Sequence, residues 1–323
     1  MKRILCILVT LVMVVFSFVA CGNGTPAQAP ADTAPADDRP VVVFSKSSDT
    51  PFFALVEQGL MDAAEELGVN LRLTSAGSRV DRQIADVETM LLEGVDAIIM
   101  SPVDRDALNS LVDTVVDSGT ILVLVNTFSS NDRYDVYVGS PEEEAGNLQA
   151  QWLLENIGPT GRLGILYGEM GHSAQIGREA GLLQGLGIAH RDERGGNWEV
   201  IAAQTGNWDR AQGRQIMEDW IIAHGDAFDA IAAQDDEMAM GALQALQENN
   251  LADRIAVLGI DGKPFAAQSI GEGGMVMSAF QDGYKQGFEA MVAAFRLING
   301  ETVPKYVKIP FVNITIENYR DFL

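Results

Sequence analysis

Cysteine is almost missing from this chain of 323 residues: Cys6 and Cys21 are the only two, and both stand near the N-terminus. No disulfide framework can hold the rest, which must be stabilised by its own core. Histidine is scarce as well. His172, His190 and His224 fall on different segments without metal-like spacing, and no D-x-D-x-D run appears, so no metal site is expected. Positive charge is short: 22 Lys and Arg stand against 45 Asp and Glu, for a net charge of −23. Such a surface repels a phosphate backbone, so no nucleic-acid partner is expected. Acidity of this kind most simply means solubility, though it leaves room for a cationic partner. Catalytic signatures are lacking too. There is no G-x-S-x-G elbow and no phosphate-cradling loop, and "GEGG" at 271–274 has no strand before it and no helix after it. No cofactor is expected.

What is present reads as globular, at 47% hydrophobic and 21% charged residues, with length enough for two domains. Lys2 and Arg3 precede an apolar run from Ile4 to Ala20, which ends in "FVAC" and a polar segment, as an export signal does. Ala20 followed by Cys21 resembles a bacterial lipoprotein signal, in which the cysteine is lipidated and becomes the new N-terminus. A retained membrane helix is the competing reading, and it leaves Cys21 without a role. Residues 1–20 are therefore expected to be the signal. Residues 21–40, rich in Pro, Ala, Gly and Asp, form an extended, solvated linker.

From Val41 onward, short apolar runs alternate with stretches of helical period. Strands are predicted at 41–44, 70–74, 96–100, 121–125 and 135–138, with helices at 51–67, 80–92 and 104–117. The pattern then repeats. Strands at 162–168, 198–203, 228–233 and 255–260 lead into helices at 173–186, 208–224, 235–249 and from 264. Two such sets make an α/β chain with two doubly wound parallel-sheet lobes. Open parallel sheets bind ligands beyond the carboxyl ends of their strands. The segments found there are "SKSSDTPFF", "SPVD", "NTFSS", "GEMGHSAQIGR", "TGNWDR", "QDDE" and "GIDGKP". Carboxylates and arginine grip paired hydroxyls by charge-assisted hydrogen bonds, and flat aromatic faces cover C–H surfaces. Together they suit a polyhydroxylated ring. A charged ligand fits less well, because the carboxylates and Arg178 would pull in opposite directions.

Each residue has a plainer use. Asp235 would cap its helix, Asp261 would form a turn, Trp208 would pack as a staple, and Arg178 would pair with a surface carboxylate. Phe52 and Phe53 follow Pro51 at a helix start. Adjacent residues there cannot both face one core, so one of the two is expected to face the cleft.

In "DTPFFALVEQG", "SAQIGREAG", "NWDRAQG", "AQDDEMAMGALQAL" and "GIDGKP", in this order, the chain from Val41 to about Val312 resembles the periplasmic sugar-binding proteins of the ribose and galactose type. Through "GHSAQIGR", "NWDRA", "AFQDGYKQG" and "IPFVNITIEN" it is most similar to the inositol-binding branch. The resemblance implies the type I periplasmic binding protein fold, two lobes joined by a hinge. Lobe 1 would hold 41–139 and 281–310, and lobe 2 would hold 140–280 and 311–323. It implies that Phe52, Phe53 and Trp208 cover the faces of a sugar, while Arg178, Asp235, Asp261 and Gln281 bind its hydroxyls. Asp235 replaces an asparagine common there. Asn126 stands where ribose binders carry an Asp-Arg pair and resembles the galactose type. Lys46 and Thr50 stand where those proteins have smaller or amide residues, so ribose is not the expected ligand, and Lys46 joins the candidate contacts. The implied function is capture of a neutral hexose or cyclitol for an ABC importer, with permease and ATPase as partners. The protein would be a lipid-anchored, extracytoplasmic monomer and not an enzyme. A sensory receptor sharing fold and cleft is the alternative. An exported glycosidase would need paired carboxylates across a scissile bond. A cytoplasmic repressor is excluded by the signal and by the lack of DNA-binding helices ahead of Val41.

Overall fold

A computed structural model describes residues 38–192 and 195–323. The expected signal, Cys21 and the linker up to residue 37 lie outside the described residues. The first half runs β1 (Val41–Lys46), α1 (Pro51–Leu67), β2 (Asn70–Ser75), α2 (Val80–Glu93), β3 (Ala97–Met100), α3 (Asn109–Asp117), β4 (Ile121–Val125) and β5 (Val136–Gly139). Next come α4 (Glu142–Asn156), β6 (Gly161–Tyr167), α5 (Ser173–Gly185), β7 (Trp198–Thr205), α6 (Arg210–His224), β8 (Ala230–Ala233) and α7 (Asp236–Glu248). The chain closes with β9 (Ala256–Asp261), α8 (Pro264–Gly271), β10 (Met277–Phe280), α9 (Gly283–Ile298), β11 (Tyr306–Lys308), β12 (Val312–Ile314) and a 3-10 turn, Tyr319–Phe322.

Two six-stranded sheets result, in the orders β11-β5-β4-β3-β1-β2 and β12-β10-β9-β8-β6-β7. Every pairing is parallel except β12 against β10. Strands covered on both faces cannot carry polar side chains cheaply, which is why "AIIM" and "ILVLV" are continuous apolar runs. Helices α1 and α9 seal one face of the first sheet, with Val56, Leu60, Ala290 and Met291 in its core. The chain passes to the second sheet after β5, returns for β11, and leaves again for β12.

Strand order reverses at β1 in the first lobe and at β6 in the second, so the loops after these strands open onto the space between lobes. Among the described residues, three hydrogen bonds join loops of the two lobes across that space, apart from those along its back wall. Ser78 Oγ donates to Glu169 Oε1 at 2.5 Å, the Arg105 amide to the Gly171 carbonyl at 3.0 Å, and the Phe128 amide to Ser173 Oγ at 3.2 Å.

Some element boundaries differ from expectation, for local reasons. Helix α3 starts at Asn109, not at 104, because the Asp104 carboxylate accepts the amides of Asp106 and Ala107 at 2.8 and 2.7 Å and holds a turn. Helix α6 starts at Arg210, not at 208, since Asn207 and Trp208 have φ of 53° and 61°. Helix α4 has no strong apolar stripe to mark it in the sequence. Its packed side carries Ala145, Gly146, Gln149 and Ala150, and it lies against the small residues of α5. A Cβ at Gly146 would strike the Arg178 carbonyl, and one at Gly181 would strike that of Glu143. This close approach brings Glu142 to Arg178.

Candidate ligand site

The first lobe contributes a floor of two rings. Helix side chains lean toward the N-terminus, so residues in the first turn of α1 project over its mouth-facing end. Phe52 and Phe53 pack edge to face, with centroids 5.7 Å apart and planes at 74°, and Phe53 also leans on Phe44. Both belong to the core of the first lobe and both line the cavity. The expectation that only one could face the cleft is thus corrected. At a helix end, core and cleft adjoin, and each ring reaches both.

Trp208 supplies the opposing wall from the second lobe. Half-buried, it rests its indole on Gly168, where any Cβ would run into the ring, and meets His172 edge-on with centroids 5.4 Å apart. His172 Nδ1 accepts the Ala174 amide at 3.3 Å, so the proton sits on Nε2. Burial, with the Arg178 charge beside it, lowers the imidazole to about 3, and it is neutral at any ordinary pH.

Between these walls lies a small cleft that opens to solvent. Asn126, Arg178, Asp235, Asp261 and Gln281 line it with the three aromatics, and Ser48, Thr50, His172, Ala174 and Lys263 join them. Lys46 does not. Its ammonium is tied to Glu57 at 2.7 Å and to Asp49 at 2.9 Å, which turns it from the cavity toward α1.

A chain of amides links the lobes along the back wall. Asn126 Nδ2 donates to Gln281 Oε1 and to Gln286 Oε1, each at 3.2 Å, and Gln281 Nε2 donates to Asp261 Oδ1 at 2.6 Å. Asn126 has φ of 64°, a conformation that Asn adopts more readily than most residues.

Arg178 is not on the surface. Its Nε donates to Glu142 Oε2 at 2.7 Å, its Nη1 donates to the Gln234 carbonyl, and Asp261 Oδ1 lies 3.9 Å from Nη1. Both partners of the Arg178–Glu142 pair are buried, and Glu142 Oε1 has no hydrogen-bond partner among the described residues. Burial outweighs the arginine and leaves the Glu142 carboxyl above its ordinary range. Burial would lower Arg178, but Glu142 and Asp261 outweigh it, and the guanidinium stays charged. Lys263 Nζ reaches Asp261 Oδ2 at 3.2 Å, and the carboxylates around it hold it protonated against burial.

Asp235 caps α7 through the Met238 amide at 2.9 Å while lining the cavity, so capping and contact are compatible uses of one side chain. Burial first, and the Asp261 charge second, push it up to about 7. Asp236, behind it, accepts from Ser278 Oγ and the Lys263 amide at 2.6 and 2.8 Å. Among the described residues, no three His, Cys, Asp or Glu gather to hold a metal ion.

Sequence reasoning passed over Lys263, His172 and Glu142. Lys263 sat in plain view in "GIDGKP", directly after a strand and before a helix-opening proline. His172 was tested only against metal spacing. Glu142 carried no local signal, because its partner lies 36 residues on.

Residues 41–302 match the model of the periplasmic binding protein domain. The chain belongs to the periplasmic binding protein family. Members of this family are binding proteins that work outside the cytoplasm, and the two parallel-sheet lobes are its type I fold. A Rhizobium meliloti protein named for rhizopine binding is 34% identical, over 85% of this chain and 89% of that one. A xylitol-binding protein of Mycolicibacterium smegmatis is 31% identical, over 89% and 81%. Among solved structures, a solute-binding protein of a Bacillus halodurans ABC transporter with bound myo-inositol superposes with a TM-score of 0.82 at 30% identity, covering 90% of this chain and 99% of that one. The Caulobacter myo-inositol binding protein gives 0.81 at 27% identity, over 87% and 95%.

Proposed function

We propose that this periplasmic binding protein captures a sugar or cyclitol ring between its lobes and hands it to an ABC importer. The carrying observation is the geometry of the cavity. Aromatic rings from separate lobes line it together with carboxylates, amides and one guanidinium. A ring with equatorial hydroxyls has two C–H faces and a polar edge, and these surfaces match it one for one. Names of relatives support a polyol: myo-inositol is a ring polyol, and xylitol is an open-chain one. Phe52, Phe53 and Trp208 would cover the faces, while Asn126, Arg178, Asp235, Asp261 and Gln281 would hold the rim. A calorimetric screen of pentoses, hexoses and cyclitols tests this. At least one ring should bind, and Trp208→Ala should weaken it by about 1.5–3 kcal/mol through lost apolar cover. If no ring binds, or if Trp208→Ala binds as the unaltered protein does, the reading fails.

Cys21 would anchor the protein by a lipid at the outer face of the cell membrane. The protein in intact cells should then partition into a detergent phase, and Cys21→Ser should leave it unprocessed or soluble. Unaltered protein released into the medium, with its N-terminus elsewhere, would refute the anchor.

A further inference from the structure

Four buried carboxylates and two buried cations surround the back of the cavity. They are Glu142, Asp235, Asp236 and Asp261 against Arg178 and Lys263. The cations are already matched. Arg178 is held by Glu142 at 2.7 Å, and Lys263 by Asp261 at 3.2 Å. Asp236 points away from the cavity, with each oxygen satisfied by a neutral donor. Asp235 is different. It is 4% exposed, it lines the cavity, and among the described residues its one hydrogen bond is from the Met238 amide to Oδ1. It has no ion pair among the described residues, and the neutral His172 imidazole across the cavity offers it no charge.

We propose that the ligand carries a protonated amine, an amino-substituted ring polyol whose ammonium sits on Asp235. This rests on the ring-polyol reading above and narrows it. It also reverses the expectation of a neutral ligand, because Arg178 is neutralised by Glu142 and does not repel a cation at Asp235. A buried carboxylate without a counter-charge is costly when ionised, and a ligand ammonium supplies the missing charge where a hydroxyl supplies only a dipole. Without ligand, Asp235 faces Asp261, Lys263 and Arg178, and it titrates at about 7 because burial and Asp261 outweigh the two cations. As pH rises through that value, the carboxylate ionises. Preference for the amine should therefore grow with pH until the ligand amine itself loses its proton.

The test uses matched pairs: hexoses and inositols, and the same rings with one hydroxyl replaced by a primary amine at each position in turn. Affinities are measured by calorimetry at about pH 6 and about pH 7.5, on the unaltered protein and on Asp235→Asn. Asparagine caps a helix as well as aspartate does, so the variant should fold. At least one amino ring should bind about tenfold or more tightly than its hydroxyl counterpart at the higher pH, with a smaller preference at the lower. Asp235→Asn should remove that preference, so that each amino ring binds within about threefold of its hydroxyl counterpart, whatever the variant does to the affinity of both. If hydroxyl rings bind as well as their amino counterparts, or if Asp235→Asn keeps the preference, the inference is overturned while the ring-polyol reading stands. Binding of neither set would overturn both.

Discussion

Asp261→Ala is expected to bind the best ring ligand about a hundredfold or more weakly than the unaltered protein. Asp261 is the point at which the site's polar network converges. Gln281 donates to it at 2.6 Å, Lys263 stands 3.2 Å away, and Arg178 3.9 Å away. Its position at the end of β9 puts it at the carboxyl edge of the second sheet, where it lines the cavity. Two charge-assisted hydrogen bonds, each worth roughly 1.5–3 kcal/mol, account for at least that factor. Stability need not fall in proportion. Asp261 raises both Asp235 and Asp236 by its charge, so its removal relieves repulsion among buried carboxylates. The expected signature is thus a large loss in calorimetric affinity beside a modest change in urea unfolding. Binding within about threefold of the unaltered protein would remove Asp261 from the site.

Arg178→Ala should cost about 3–5 kcal/mol of unfolding free energy near neutral pH, the usual range for breaking a buried ion pair from one side. Glu142 would be left charged in a dry interior, with one oxygen already without a partner. The loss should shrink in acid, and the sign follows from Glu142. Its carboxyl already lies above its ordinary value through burial, and without Arg178 it would lie higher still. Ionising it therefore costs stability as pH rises through that raised value, and protonating it removes the cost. Urea denaturation of both proteins across acidic and neutral pH measures this. A pH-independent difference would mean that Glu142 is not the stranded group. Arg178→Lys should recover only part of the loss, because an ammonium cannot repeat the guanidinium's reach to Glu142 and to the Gln234 carbonyl together.

The architecture was legible because parallel strands must be apolar along their whole length and because ligand-facing loops must follow them. "VVVF", "ILVLV" and "FDAIAA" carry the first signal, and "DTPFF", "NWDR" and "GIDGKP" carry the second. Phe52, Phe53, Asn126, Arg178, Trp208, Asp235, Asp261 and Gln281 all line the cavity. Packing was not legible. Whether a lysine at a strand end points into a cleft depends on which carboxylate stands nearest, and Glu57 captures Lys46 from the second turn of α1. The same holds for charge. Arg178 looked like a cation facing the ligand until the close approach of α4 and α5 showed its partner, and that approach is set by glycines whose role appears only in three dimensions. Local turns were lost for a related reason. The Asp104 side chain competes with the backbone for its own amides, and a hydropathy pattern does not register that competition.

The hydrogen bonds that span the cleft bear on time. Ser78, Glu169, Arg105, Gly171, Phe128 and Ser173 make them, and none of these residues lines the cavity. If a ring is held between Phe52 and Trp208 and the lobes must part to release it, its escape would wait on a protein motion of microseconds or slower. The Ser78–Glu169 contact lies outside the cavity lining, and burial pushes its carboxyl up while Ser78 draws it down. Weakening it from outside the cavity would shorten the dwell of every ligand by a similar factor and leave their order of preference unchanged. Selectivity and residence would then rest on different residues, one set inside the cavity and one outside it.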